Sequence, residues 1–109
     1  MARVAFWGKN SQQIFAKLLT KIDSAGYEEA VSIIVKYLKS QGWKEIQLTP
    51  HDEDEYAAVF LKGCETIYIT WIGGTRIFII DRDELPNADP VAIDLFTYFL
   101  TKYFRFQTQ

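Results

Sequence analysis

The chain has 109 residues, a hydrophobic fraction of 49%, an aromatic fraction of 16% and a net charge of −2. Disordered chains are poor in apolar residues and strongly charged, so this composition excludes disorder, and the length suits one domain over 1–109 with its own core. There is no apolar run long enough to span a membrane, and the apolar stretch at the N-terminus is too short for a secretory signal. Cys64 is the only cysteine, which excludes an internal disulfide and a cysteine-based zinc site. The expectation is a cytoplasmic protein with no cofactor. Residues 1–49 hold seven Lys/Arg against four Asp/Glu, whereas 50–109 hold five against ten. The basic excess of the first half is too small for strong non-specific nucleic-acid binding, which needs many phosphate contacts.

In chain order, residues 3–7 form a short strand or an arm that packs Phe6 and Trp7 on the body. Asn10 or Ser11 offers an N-cap side chain for a first helix. Ile14, Leu18 and Ile22, with Phe15 and Leu19 beside them, make its apolar stripe, and Gly26 is placed to end it in a left-handed conformation. A second helix is predicted over 27–41. Glu28 and Glu29 in its first turn and Lys36 and Lys39 near its end suit the helix dipole. Its core face is Val31, Ile34, Val35 and Leu38, and Gly42 supplies the cap.

Four strands follow, at about 44–49, 56–61, 66–72 and 76–80. The first alternates, with Ile46 and Leu48 on one face, and Pro50 stops it. The other three are apolar runs cut at Lys62-Gly63 and Gly73-Gly74, the pattern of antiparallel strands joined by tight turns. In the middle run Ile67, Ile69 and Trp71 share one face, and Thr66, Tyr68, Thr70 and Ile72 the other. Neither face is polar, so both need cover. Asp89 then caps a last helix over 90–104 that begins with Pro90. This helix is apolar nearly all round, so it is either sandwiched or keeps a face for a partner. The fold class is α+β, a four-stranded, mainly antiparallel sheet with two N-terminal helices and one C-terminal helix.

Chemistry-bearing clusters are sparse. His51 with Asp52, Glu53, Asp54 and Glu55 is a polar loop without calcium-loop spacing. Asp81, Asp83 and Glu84 read as a solvated turn that would have to join that loop to hold a cation. Cys64 lies in a hairpin turn with an acidic neighbour and no nearby histidine, a poor setting for a nucleophile. Gly8-Lys9-Asn10-Ser11 looks faintly like a phosphate cradle but lacks the upstream glycine.

One run carries a family resemblance: Tyr27-Glu28-Glu29-Ala30-Val31, Leu38, Gly42-Trp43, Leu48-Thr49-Pro50, an acidic loop, Ala57-Ala58-Val59-Phe60, Gly63 and Thr66-Ile67-Tyr68-Ile69. Over residues 27–72 it resembles the core of restriction-endonuclease-like nucleases of the Mrr and Holliday-junction-resolvase kind. In that family a helical Glu, a strand Asp and a Glu/Gln-x-Lys pair bind magnesium and activate water. Glu28 matches the helical Glu, and Asp54 falls where the acidic loop often has an Asp. The metal-binding Asp is replaced by Ala58, and the Glu/Gln and Lys by Thr70 and Ile72. What the resemblance implies is a shared fold in a copy that does not cut, since hydrolysis needs anionic ligands and a cation at those points.

The functional expectation is a non-catalytic protein-binding module, an adaptor, inhibitor or immunity-type factor, with homodimerisation as one mode. Its candidate contact residues are Trp7, Trp71, Tyr98, Phe99, Tyr103 and Phe106, all of which fit a core position equally well. The alternative is a degenerate nuclease fold that grips nucleic acid through Lys17, Lys21, Lys36, Lys39 and Lys44. A further alternative is a metal-dependent hydrolase using Asp52, Asp54, Asp81 and Asp83.

Overall fold

The computed structural model describes residues 2–49, 55–72 and 76–107, with the backbone alone for 103–107. Pro50, the 51–54 loop, the Gly73-Gly74 turn and the side chains of Tyr103 and Phe106 lie outside the described residues. Element order is β1 (Val4–Trp7), α1 (Lys9–Ile22), α2 (Tyr27–Ser40), β2 (Lys44–Gln47), β3 (Glu55–Lys62), β4 (Glu65–Ile72), β5 (Ile77–Asp81), a 3₁₀ turn (Arg82–Asn87) and α3 (Pro90–Gln107).

The α+β class holds, but the sheet has five strands in the order β1-β5-β4-β3-β2. The four predicted strands form an antiparallel meander. The correction is β1, which pairs parallel to β5 with Val4 opposite Ile77 and Trp7 opposite Ile80. The sheet is therefore mixed, and segments 3–7 and 76–80 become neighbours although most of the chain separates them. A second difference concerns β2, predicted to reach residue 49. The carbonyl of Ala57 accepts from both Leu48 N–H (2.8 Å) and Thr49 N–H (3.4 Å). Two residues against one is a bulge, and it ends the regular ladder at Gln47.

Both faces of the sheet are covered. On one, α1 and α2 pack Ile14, Leu18, Ile22, Ile34 and Leu38 over Ala58, Phe60, Ile67, Ile69, Ile77 and Ile79. On the other, α3 lays Ala92, Phe96 and Phe99 over Phe78, Ile80, Ala57 and Val59. The result is a three-layer sandwich. It explains why β5 is an unbroken apolar run: Ile77, Phe78, Ile79 and Ile80 are all buried, alternate side chains serving opposite layers.

The helix ends follow local chemistry in two cases out of three. Helix α2 closes as a Schellman turn, with Gly42 N–H on Lys39 C=O at 3.2 Å, Trp43 N–H on Leu38 C=O at 3.0 Å and Gly42 at φ 91°. Asp89 caps α3 by accepting from Val91 N–H at 2.9 Å, and its other oxygen meets Arg76 at 2.9 Å. Helix α1 departs from expectation at both ends. It starts at Lys9, so neither Asn10 nor Ser11 is its N-cap, and it stops at Ile22, so Gly26 becomes the extended residue before α2 (φ −74°).

Candidate functional site

The start of α1 is capped from the far end of the chain. One Asp81 oxygen accepts from Asn10 N–H at 3.0 Å, and the other from Ser11 N–H at 2.9 Å and Ser11 Oγ–H at 2.6 Å. Gly8, between β1 and α1, has φ 108°, and a Cβ there would lie 2.3 Å from Asp81 Cγ. Glycine is thus required twice over, by its backbone angle and by the carboxylate pressed against it. Free N–H groups at a helix start attract anions, and here the chain supplies its own. The faint phosphate cradle of the sequence is occupied by Asp81, and the expected solvated turn is corrected accordingly: Asp81 is half-buried and bonded, whereas Asp83 is exposed. A polar cleft of about 620 Å³ opens beside this cap, lined by Lys9, Glu65, Arg82 and Glu84 among others. Among the described residues no three acidic, His or Cys side chains converge where a metal ion could sit. His51, Asp52 and Asp54 lie outside the described residues.

A second concavity, of about 390 Å³, runs between α2 and the adjoining strands, with Glu28, Lys36, Lys39, Tyr56 and Trp71 in its wall. Lys39 meets Glu45 at 2.9 Å, and Glu45 also accepts from the Tyr56 hydroxyl. Burial first, and then Glu45, hold the Tyr56 phenol well above its ordinary pKa. Trp71 stacks on Tyr27 with ring centroids 6.0 Å apart. Its Nε1 is buried without a partner among the described residues. The residues carried over from the nuclease resemblance do not meet here as a set. Ala58 faces the α1/α2 layer with Glu28, while Thr70 pairs with Ala57 on the α3 side and donates to Tyr56 C=O at 3.0 Å. Alternation along β4 turns Ile72 the same way as Thr70.

The six expected contact residues separate. Trp71 and Phe99 are core, at 8% and 3% exposure, which corrects their reading as surface contacts. The alternation of a strand and the stripe of a helix mark an apolar face without saying what covers it. Tyr98 stands on the solvent side of α3 at 56%, with Lys102 Nζ 5.5 Å from its ring centre. Trp7 is half-buried, stacked on Phe78 at 6.2 Å. The five lysines Lys17, Lys21, Lys36, Lys39 and Lys44 are all exposed, on α1, α2 and β2.

The two sheet edges differ sharply. Edge strand β2 reads Lys-Glu-Ile-Gln, with Lys44 and Gln47 exposed, and charged side chains of this kind discourage a further strand. Edge strand β1 reads Val-Ala-Phe-Trp, four half-buried residues without a charge, a proline or a bulge. Beside it on α1, Phe15 stacks on Phe6 with ring centres 4.8 Å apart, and Leu19, one turn further, is 44% exposed. Ala5 was not singled out because Val4–Trp7 had no assigned neighbour, the absence of charge in that strand being the available signal; Leu19, expected in the apolar stripe of α1, lies at its exposed margin instead. No model of a known protein family matches the chain. No curated protein matches it in sequence, and no solved structure matches it in fold.

Proposed function

We propose that this chain is a non-catalytic protein-binding module that docks by extending its sheet along β1. The observation that supports the reading is the contrast between the guarded β2 edge and the uncharged, apolar β1 edge, which no strand covers among the described residues. A strand with unused N–H and C=O groups binds an extended partner through main-chain hydrogen bonds, and the neighbouring side chains supply selectivity. Trp7 stays among the contact residues under this reading, whereas Trp71 and Phe99 act as core. No described helix is long and apolar enough to cross a membrane. The exposed free thiol of Cys64 suits a reducing compartment, and the reading places the module in the cytoplasm.

The test is Val4→Pro. Proline at an edge strand removes an outward N–H and leaves the inward ladder intact. The variant is expected to melt within a few degrees of the parent and to lose bound protein in affinity capture. In the captured parent complex the Val4 and Phe6 amides exchange at least tenfold more slowly. Capture and Phe6 amide exchange unchanged by the substitution would sink the proposal.

The five exposed lysines support a second reading, nucleic-acid binding across the α1/α2 layer. Lys39 is already engaged with Glu45, which lowers the charge on offer. Phosphate contacts weaken steeply with salt, so titrating a labelled oligonucleotide at low and moderate salt decides it. Absence of binding at low salt removes this reading.

A further inference from the structure

In the β1–β5 ladder, Ile77 N–H donates to Arg3 C=O at 2.8 Å, and Val4 is the register partner of Ile77. A parallel ladder of this register turns the polar backbone groups of Arg3, Ala5 and Trp7 toward β5. Those of Val4 and Phe6 point away from it, and no described strand lies on that side. Any strand added to this edge must bond to Val4 and Phe6.

We infer that the added strand is β1 of a second copy of the chain, running antiparallel, with Ala5 facing its own counterpart across a two-fold axis. The inference rests on β1 being the docking edge and names its occupant. In this register Val4 exchanges both backbone bonds with Phe6 of the second copy, and symmetry repeats the exchange. Isologous pairing of one patch with itself is the usual way soluble chains form dimers.

Three features fit a second copy better than a foreign peptide. The axis falls on a non-hydrogen-bonded pair, where Cα atoms approach to about 4.5 Å, and the residue there is alanine, the smallest of the four. Arg3, exposed at the strand's start, comes opposite Trp7 of the second copy on the α3 side of the sheet. A guanidinium over an indole is a favourable cross-strand pair, and Val4–Trp7 itself sets no like charges face to face.

The third feature is α1. It contacts both β1 and β5, and strands lie about 4.8 Å apart. Adding the second β1 therefore places the two α1 helices about 10 Å apart on the same face, the spacing at which helices pack. Phe15 lies level with Phe6, and Leu19 is about 6 Å further along the helix, level with Val4. The 44% exposed Leu19 thus meets the facing helix. An extended peptide on the same edge brings no helix and leaves Leu19 bare.

The test combines mass with register. By sedimentation, the parent is expected to double in mass between about 10 and 500 µM, a range typical of small interfaces, while Val4→Pro stays monomeric. Leu19→Ser, a change at the surface, weakens association at least fivefold with no change in fold by circular dichroism. Ala5→Cys and Val4→Cys, each in a Cys64→Ser background, read the register independently of whether the proline variant folds. Only the first pair falls within disulfide reach at the axis, so Ala5→Cys oxidises to a covalent dimer at least tenfold faster. A parent monomeric throughout overturns the inference, and if Val4→Pro still abolishes capture of another protein, the docking edge itself survives. A dimer in which Val4→Cys cross-links as fast as Ala5→Cys overturns the register.

Discussion

Replacing Asp81 by alanine removes three hydrogen bonds at once from the first turn of α1, at 3.0, 2.9 and 2.6 Å. A lost helix cap costs about 1 kcal/mol, and a lost anion at a helix start about 0.5 kcal/mol more. The Ser11 hydroxyl is fully buried (0% exposed), and stripping a buried donor of its acceptor adds about 1–2 kcal/mol. The expected loss is about 3 kcal/mol, against a total of about 5–15 kcal/mol for a domain. In urea, with a slope of about 1.5 kcal/mol per molar, the midpoint falls by about 2 M. Asp83→Ala, two residues further on and exposed, is the control and moves the midpoint by less than about 0.3 M. Adding Ser11→Ala to the Asp81→Ala chain recovers about 1 kcal/mol, because the stranded hydroxyl is gone. An Asp81→Ala midpoint indistinguishable from that of Asp83→Ala would refute the cap as the organiser of this corner.

The other predictions concern single residues. Gly8→Ala costs more than Gly42→Ala in the same urea assay. Gly42 faces only strain at φ 91°, about 1–2 kcal/mol, with its nearest atom 3.9 Å away, whereas Gly8 adds a collision with Asp81. Tyr56 has a folded pKa raised above the ordinary value of 10.0. Its contribution is therefore complete below about pH 10 and declines as pH rises toward the folded value. Tyr56→Phe is expected to remove about 1 kcal/mol of the stability lost between pH 10 and 11, read by urea melts between pH 9 and 11; equal slopes would contradict it. Phe96→Ala, at 0% exposure, is expected to cost about 4 kcal/mol by thermal melt. Tyr98→Ser, 56% exposed, costs less than about 1 kcal/mol.

The parts of the fold written in local sequence were readable. Apolar runs and a glycine turn marked β3 and β4, which meet at Gly63 with φ 60°. Gly42 and Asp89 announced the helix ends they serve. What escaped depends on residues far apart in the chain. Parallel pairing of β1 with β5 has no turn to advertise it, so Val4–Trp7 read equally well as an arm. Asn10 and Ser11 have the side chains of a local cap for α1, yet they are the two residues that donate, and the acceptor sits at position 81. Trp71 and Phe99 looked like surface candidates because periodicity cannot tell a covered apolar face from an open one. The β1 edge became legible only once both rims of the sheet were known and their charges compared.

The pairing of β1 with β5 also orders events in time. Closing a loop of some seventy residues carries a larger entropic cost than a hairpin turn, so the meander is expected to zip first and the β1 seam to close after it. Until then β5 is the rim, and its Ile77, Phe78, Ile79 and Ile80 form the most apolar strand of the sheet. Such a strand with a free side is a template for aggregation. Chains lacking residues 1–7 are thus expected to precipitate on refolding rather than merely lose stability. The first strand shields the last one, a kinetic duty distinct from any partner it meets afterwards.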